Sequence, residues 1–241
     1  MGRNDKCFCG SGKKTKKCHY TVKETSKLAE IYKANVTFDL KVKDSNIHAN
    51  CPVNCSSCCN DFFFVSENEF LLILDSIQRK GGKTLIETYQ QKAEEYQSYL
   101  EVYYPDIMNM LDSFMPQGNR EDTRIYFNDQ FQWDRSKSCI FLENGKCTIY
   151  EDRPHICRMY GVCQCCPIIN NEPYHFQEEV DLALTDLIKG ERAILKRPYP
   201  LFYYFSFFLK QPYYDSIMQK LTMIRTKTEK EYAEFCEQIQ M

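Results

Sequence analysis

Fourteen cysteines in 241 residues set the chemistry open to this chain, and most of them fall in clusters. Cys7, Cys9, Cys18 and His19 form a C-x-C-x8-C-H set. Three thiolates and one imidazole make a complete tetrahedral shell for zinc, with no position left for a substrate, so the spacing predicts a structural ion. Gly10-Ser11-Gly12 lets the chain reverse between the two arms. A segment this short cannot bury enough core to fold alone, so the metal would supply its folding energy.

A second set is spread more widely. Cys51, Cys55, Cys58 and Cys59 form C-x3-C-x2-C-C; Cys139, Cys147 and Cys157 come much later, then Cys163, Cys165 and Cys166. Ten thiols exceed one tetrahedral zinc. They could hold a zinc with an iron–sulfur cluster, or two clusters of four ligands. Adjacent Cys58 and Cys59 project differently, so they serve different metals or only one is a ligand. The alternative is that some are buried thiols acting as small apolar side chains, most readily among Cys163, Cys165 and Cys166. Cys236 stands apart and reads as an ordinary thiol. C-x3-C-x2-C is also the spacing of radical SAM enzymes, but the residues after it lack the alternating strands and helices of a βα barrel. The metal is not fixed by the sequence, because thiolate shells accept zinc and iron alike.

Arg153 and Arg158 flank Cys157 and are candidate partners for thiolate charge outside the ligand shell. Asp152 is a candidate cap for a short helix begun by Pro154, and Asp152 and Glu151 are candidate ion-pair partners for the two arginines. His155 is read as a surface or hydrogen-bonding residue rather than a ligand, and Tyr150 and Tyr160 as core. His48 and His175 carry no spacing signal.

Two segments resemble known families. GRNDKCFCGSGKKTKKCHY resembles the SEC-C motif, a zinc-binding tail, over residues 2–19; Lys6 and Phe8 stand where that family usually has proline, and neither is a ligand. The resemblance implies a small docking module for proteins, including ribosome or chaperone surfaces. CPVNCSSCC (51–59) and CIFLENGKCTIYEDRPHICRMY (139–160) resemble the YkgJ-type CxxxCxxCC family of zinc/iron-chelating domains, over roughly residues 48–170. That resemblance implies that Cys51, Cys55, Cys58, Cys59, Cys139, Cys147 and Cys157 are ligands, and Cys163 and Cys166 join them as candidates. The family includes the flagellin lysine N-methylase.

The elements that must position these residues read as mainly helical. Ser66-Glu67-Asn68-Glu69 has capping-box spacing ahead of Phe70, Leu71, Leu74 and Ile77. Gly81-Gly82 predicts a stop, Thr84–Tyr103 a second helix ended by Pro105, and Asp106–Phe114 a third. Ile125–Phe127 and Cys139–Leu142 read as short strands, and Asn144-Gly145 as a hairpin turn before Cys147–Tyr150. Glu178–Leu195 and Lys227–Gln240 read as further helices. Residues 199–214 hold nine aromatics and are expected in a packed core. The fold expected is mainly α with a short β-hairpin: a zinc knuckle (1–20), a connector (21–46), a metal-stabilised cysteine-cluster domain (47–195) and an aromatic-rich helical extension (196–241).

Composition narrows the function. Hydrophobic residues make up 43% and charged residues 27%, enough for a core. No apolar stretch succeeds MGRNDK and none is long enough to span a bilayer, so a cytoplasmic chain with reduced thiols is expected. The net charge of −2 divides into +5 on residues 1–20 and −7 on the remainder. The lysines of the basic head are either a solvated face or a docking surface for an acidic or phosphate-rich partner, and nucleic acid could enter only there. The sequence has no P-loop, H-E-x-x-H or G-x-G-x-x-G. Two classes of function stand: a metal-binding protein that docks on another protein, or an iron-dependent protein-modifying enzyme resembling the lysine methylase.

Overall fold

The computed structural model describes residues 2–45, 55–56, 59, 63–113, 139–160, 162 and 198–239. Helix α1 (Lys27–Ser45) succeeds the cysteine head. Strand β1 (Phe64–Val65) leads into α2 (Glu67–Tyr103), and α3 (Pro105–Ser113) comes next. Strands β2 (Leu142–Glu143) and β3 (Lys146–Cys147) form a hairpin ahead of α4 (His155–Met159). Strand β4 (Tyr199–Pro200) enters α5 (Leu201–Tyr203), which widens into a π-helix over Tyr204–Phe208. The chain closes with α6 (Tyr214–Thr226) and α7 (Glu229–Gln238). Among the described residues the architecture is mainly α with two short antiparallel strand pairs, in keeping with the mainly α fold and short hairpin that the sequence predicts.

Helix α2 is the scaffold. The Ser66 hydroxyl accepts from the Glu69 amide, and Glu69 Oε2 accepts in return from the Ser66 amide, the reciprocal capping box read from the sequence. Phe70, Leu71 and Leu74 are fully buried behind it. The predicted stop is present as a break rather than an end. Gly82, at φ 60° and ψ −149°, takes a conformation closed to side chains with a Cβ, and the helix resumes to Tyr103. Pro105 then opens α3 at a position where its missing N–H costs nothing.

The aromatic segment lies in the core, as expected. Phe205 is fully buried against Phe70, Tyr89 and Phe141, with ring centroids 5.5, 6.4 and 5.5 Å away. Strand β4 pairs with β1 in the register Phe64 to Pro200 and Val65 to Tyr199, tying this segment to the start of α2. A hairpin forms at the predicted turn, with its strands drawn in to Leu142–Glu143 and Lys146–Cys147. Asn144 (φ 51°) and Gly145 (φ 73°) make the turn, and Leu142 faces Cys147 across it.

Residues 21–46, read as a connector, contain a core helix: Leu28, Ala29, Ile31 and Tyr32 of α1 are buried. The Lys23 and Lys27 amides donate to the Arg225 and Lys227 carbonyls, so α1 begins against the end of α6. Lys27 is 2% exposed and its Nζ lies 3.1 Å from Glu229 Oε2. Lys220 and Glu67 form a second buried pair at 2.5 Å. No helix among the described residues is long and apolar enough to cross a membrane. The Ile125–Phe127 strand and the Glu178–Leu195 helix lie outside the described residues.

Candidate metal centres

At the amino terminus the four predicted ligands converge. Cys7 Sγ, Cys9 Sγ, Cys18 Sγ and a ring nitrogen of His19 all lie within 4.8 Å of one another. Cys7 and Cys18 sulfurs stand 3.3 and 3.2 Å from His19 Nδ1, and Cys9 and Cys18 sulfurs 3.6 Å apart. A zinc–sulfur bond of about 2.3 Å in a tetrahedron sets sulfur–sulfur edges at about 3.8 Å. A disulfide would need about 2.05 Å. The spacing fits a shared cation and not a covalent bridge.

Local structure explains the convergence. The Gly10 amide donates to the Cys7 carbonyl, Cys7 N–H to Lys13 O, and Thr15 N–H to Asp5 O, which folds the two arms together. Gly10 and Gly12, at φ 79° and 73°, make the reversal. The Thr15–Lys17 3₁₀ turn then delivers Cys18. Cys7, Cys9 and His19 are buried at 4–5% exposure. The hydrogen bond shared with Cys18 draws the Cys9 thiol far below its ordinary range and pushes the Cys18 thiol above its own. A cation among the sulfurs would take the place of the shared proton.

The spacing of the cysteines says nothing of what holds this head to the body. The His19 ring packs on Tyr32 at 4.0 Å. Tyr32 Oη donates to Asp75 Oδ2 at 2.8 Å. Arg79 donates from Nη1 to the Cys18 carbonyl, from Nη2 to Tyr32 Oη and from Nε to Asp75, each at 2.8 Å. Arg225 Nε reaches the other Asp75 oxygen at 2.6 Å. Asp75 is fully buried, so one carboxylate faces two guanidinium groups and a phenol beside the ligand shell. Burial, then the charge of Asp75, raises the Tyr32 hydroxyl well above its ordinary value and keeps it a donor. Asp75 and Arg79 stand at i,i+4 and are legible as a helical pair. Arg225, 150 residues further on, carries no such signal.

The second cysteine set is partly in view. Cys51, Cys58, Cys163, Cys165 and Cys166 lie outside the described residues. The Cys139 amide donates to the Cys59 carbonyl at 2.7 Å, so the two blocks meet across 80 residues of chain. Helix α2 gathers the rest. Tyr89 Oη donates to Thr148 Oγ1 at 2.8 Å, Thr148 donates to the Phe141 carbonyl, and Phe141 is buried on Tyr89, which fixes the hairpin bearing Cys139 and Cys147. Glu69 Oε1 accepts the His155 amide at 2.7 Å, so the carboxylate that caps α2 also starts α4 and sets Cys157. Cys55, Cys59, Cys139, Cys147 and Cys157 are each half-buried. Among the described residues, only the amino-terminal four have donor atoms drawn together as a group of three or more.

Several expectations around Cys157 are corrected. Pro154, not Asp152, is the cap of α4. Asp152 instead accepts from Ser76 Oγ and, at 3.0 Å, from Lys80 Nζ. The arginines do not pair with Asp152 or Glu151. Both reach Asp39 of α1, and Arg158 also donates to the Arg153 and Glu151 carbonyls. Those donors bind α4 to α1. His155 is not a surface residue. It is 1% exposed, neither ring nitrogen has a hydrogen-bond partner among the described residues, and burial, then Arg158, pushes its pKa down to about 4. Tyr150 is 62% exposed with Arg153 stacked 4.0 Å above it, whereas Tyr160 is half-buried against Phe63. Cys236 is buried in the core as an ordinary thiol.

Comparison with known proteins agrees with both modules. The CxxCxxCC model, described as a zinc- or iron-chelating domain, matches residues 50–180, and the SEC-C motif matches residues 3–21. No curated protein and no solved structure matches the chain. The chain therefore binds metal, and it belongs to the CxxCxxCC family of zinc- or iron-chelating domains with a SEC-C motif at its amino-terminal end.

Proposed function

We propose that this chain is a cytoplasmic two-centre metalloprotein that docks on another protein through its basic head. The first centre holds a structural zinc on Cys7, Cys9, Cys18 and His19. The observation that carries the reading is the convergence of these four donors within 4.8 Å, a closed shell with no protein-free corner. The second centre takes zinc or an iron–sulfur cluster on Cys51, Cys55, Cys58, Cys59, Cys139, Cys147 and Cys157, with Cys163 and Cys166 as further donors. Its support is the backbone bond between Cys59 and Cys139 and the family match that spans all nine cysteines.

Docking is supported by the charge of the head. Lys16 and Lys17 are exposed on it and enter no ion pair among the described residues. The partner class is a protein with an acidic or phosphate-rich face, such as a ribosome or chaperone surface. Metal analysis of anaerobically purified protein, with assay of acid-labile sulfide, tests the metal assignment. Zinc alone supports two structural centres. Iron with labile sulfide at the second set would move the protein toward the protein-modifying class to which the lysine methylase belongs. Protein without bound metal would refute the reading.

A further inference from the structure

A cavity of about 360 Å³ opens where the cysteine head meets α1 and α2. It is larger than a metal shell, whose four donors leave room for an ion only, and its lining takes in Cys9, Cys18 and His19 together with Asp152. Five cationic side chains line it against two carboxylates. Most of that charge is engaged. Lys80 holds Asp152, Lys13 lies 3.6 Å from Glu151, and Arg79 is fixed on Asp75. Lys16 and Lys17, side by side on the 3₁₀ turn, have no ion pair among the described residues.

The residues that α1 contributes to the cavity carry a second sign of a ligand. Asn35 of α1 is 3% exposed and lines the cavity, and its Oδ1 atom has no hydrogen-bond partner among the described residues. Burying an amide unpaired is costly, and no contact with the described residues offsets it here. Rotation of the amide exchanges its oxygen and nitrogen and presents two N–H donors to the cavity. Two lysines without an ion pair among the described residues and the rotated amide, all lining one cavity, suit a small dianion. Tyr20 and Val36 supply apolar wall beside it.

We propose that this cavity binds a phosphate-bearing small molecule, with Lys16 and Lys17 on the phosphoryl oxygens and Asn35 donating from α1. The site borders the first metal centre, because Cys9, Cys18 and His19 are among its lining residues, and it does not depend on which metal fills the second cysteine set. It is tested on the zinc-loaded full chain by calorimetric titration at fixed ionic strength with inorganic phosphate, pyrophosphate and adenosine monophosphate. Saturable one-to-one binding of at least one probe is expected. Lys16→Ala with Lys17→Ala should weaken it at least about tenfold, since each exposed lysine supplies charge and not fold. Asn35→Leu should weaken it by a similar factor while raising the melting temperature, because the apolar side chain removes an unpaired amide. A control pair, Lys83→Ala with Lys230→Ala, alters two exposed lysines that pair only within their own helices and should leave binding unchanged. No saturable binding of any probe overturns the proposal. So does equal weakening by both lysine pairs, which would mean diffuse attraction, or wild-type affinity in a folded Asn35→Leu protein.

Discussion

Replacing Asp75 by asparagine keeps the shape of the side chain and removes its charge. Arg79 and Arg225 then sit 11% and 13% exposed around a neutral amide. Breaking a buried pair by taking one partner costs about 3–5 kcal/mol, because the surviving charge stays desolvated. For a chain of this length, unfolding entropy near the midpoint is roughly 0.5 kcal/mol per degree. The expected loss in melting temperature is therefore about 6–10 °C for the zinc-loaded protein. The damage should also reach the first metal centre. Arg79 holds the Cys18 carbonyl, and Tyr32, which packs on His19, must share a single acceptor oxygen with the two arginines where the carboxylate offered two. Zinc transfer to a chromogenic chelator should accelerate in Asp75→Asn relative to wild type. Differential scanning fluorimetry and chelator kinetics read the two effects. A melting temperature within about 2 °C of wild type would refute the buried-charge argument. Unchanged zinc release in a clearly destabilised protein would refute the coupling between Asp75 and the ligand shell.

Other expectations are open to similar measurement. Phe205→Ala removes a fully buried ring that backs Phe141 and should cost about 3–5 kcal/mol by urea denaturation; because Phe141 anchors the hairpin, metal at the second set should be lost at lower urea than metal at the first. Asp152 is buried, which alone would raise its pKa, yet the Ser76 hydrogen bond and the Lys80 charge hold it below the ordinary value. A lowered folded-state pKa contributes stability that is complete above the unfolded value of about 3.9 and lost as pH falls through the folded value. Asp152→Asn should accordingly destabilise at pH 7 and converge with wild type only once the pH has fallen below the folded-state value, in acid titrations monitored by circular dichroism. Gly82→Ala places a Cβ at φ 60° and ψ −149°, and should cost more than about 1 kcal/mol by the same denaturation assay while Gly12→Ala spares α2.

Short-range features were legible because their causes are local. The capping box at Ser66, the break at Gly82, the Asn144-Gly145 turn and the C-x-C-x8-C-H ligands each rest on a few adjacent residues. The burial of Tyr199–Phe208 was readable from aromatic density alone. What the sequence did not disclose depends on residues far apart in the chain. Charge proximity suggested that Asp152 and Glu151 would serve Arg153 and Arg158. The fold instead brings Asp39 from α1 more than a hundred positions away, and sends Asp152 to Ser76 and Lys80. Likewise His155 looked exposed in a charged neighbourhood, yet packs against Phe38 because Glu69 draws the start of α4 onto α2. The role of Asp75 was hidden for the same reason, since Arg225 joins Arg79 on it only once α2 and α6 are side by side.

Separable metal loss tests the account most directly. Wild-type protein, a Cys9→Ser/Cys18→Ser variant and a Cys139→Ser/Cys147→Ser variant would be purified without oxygen and assayed for zinc, iron and labile sulfide per chain. Wild type should carry metal at two independent centres. The first variant should lose one zinc and keep the remaining metal, and the second should keep that zinc and lose the rest. Loss of all metal in either variant, or metal content unchanged by both, would contradict two cysteine-bound centres in one chain.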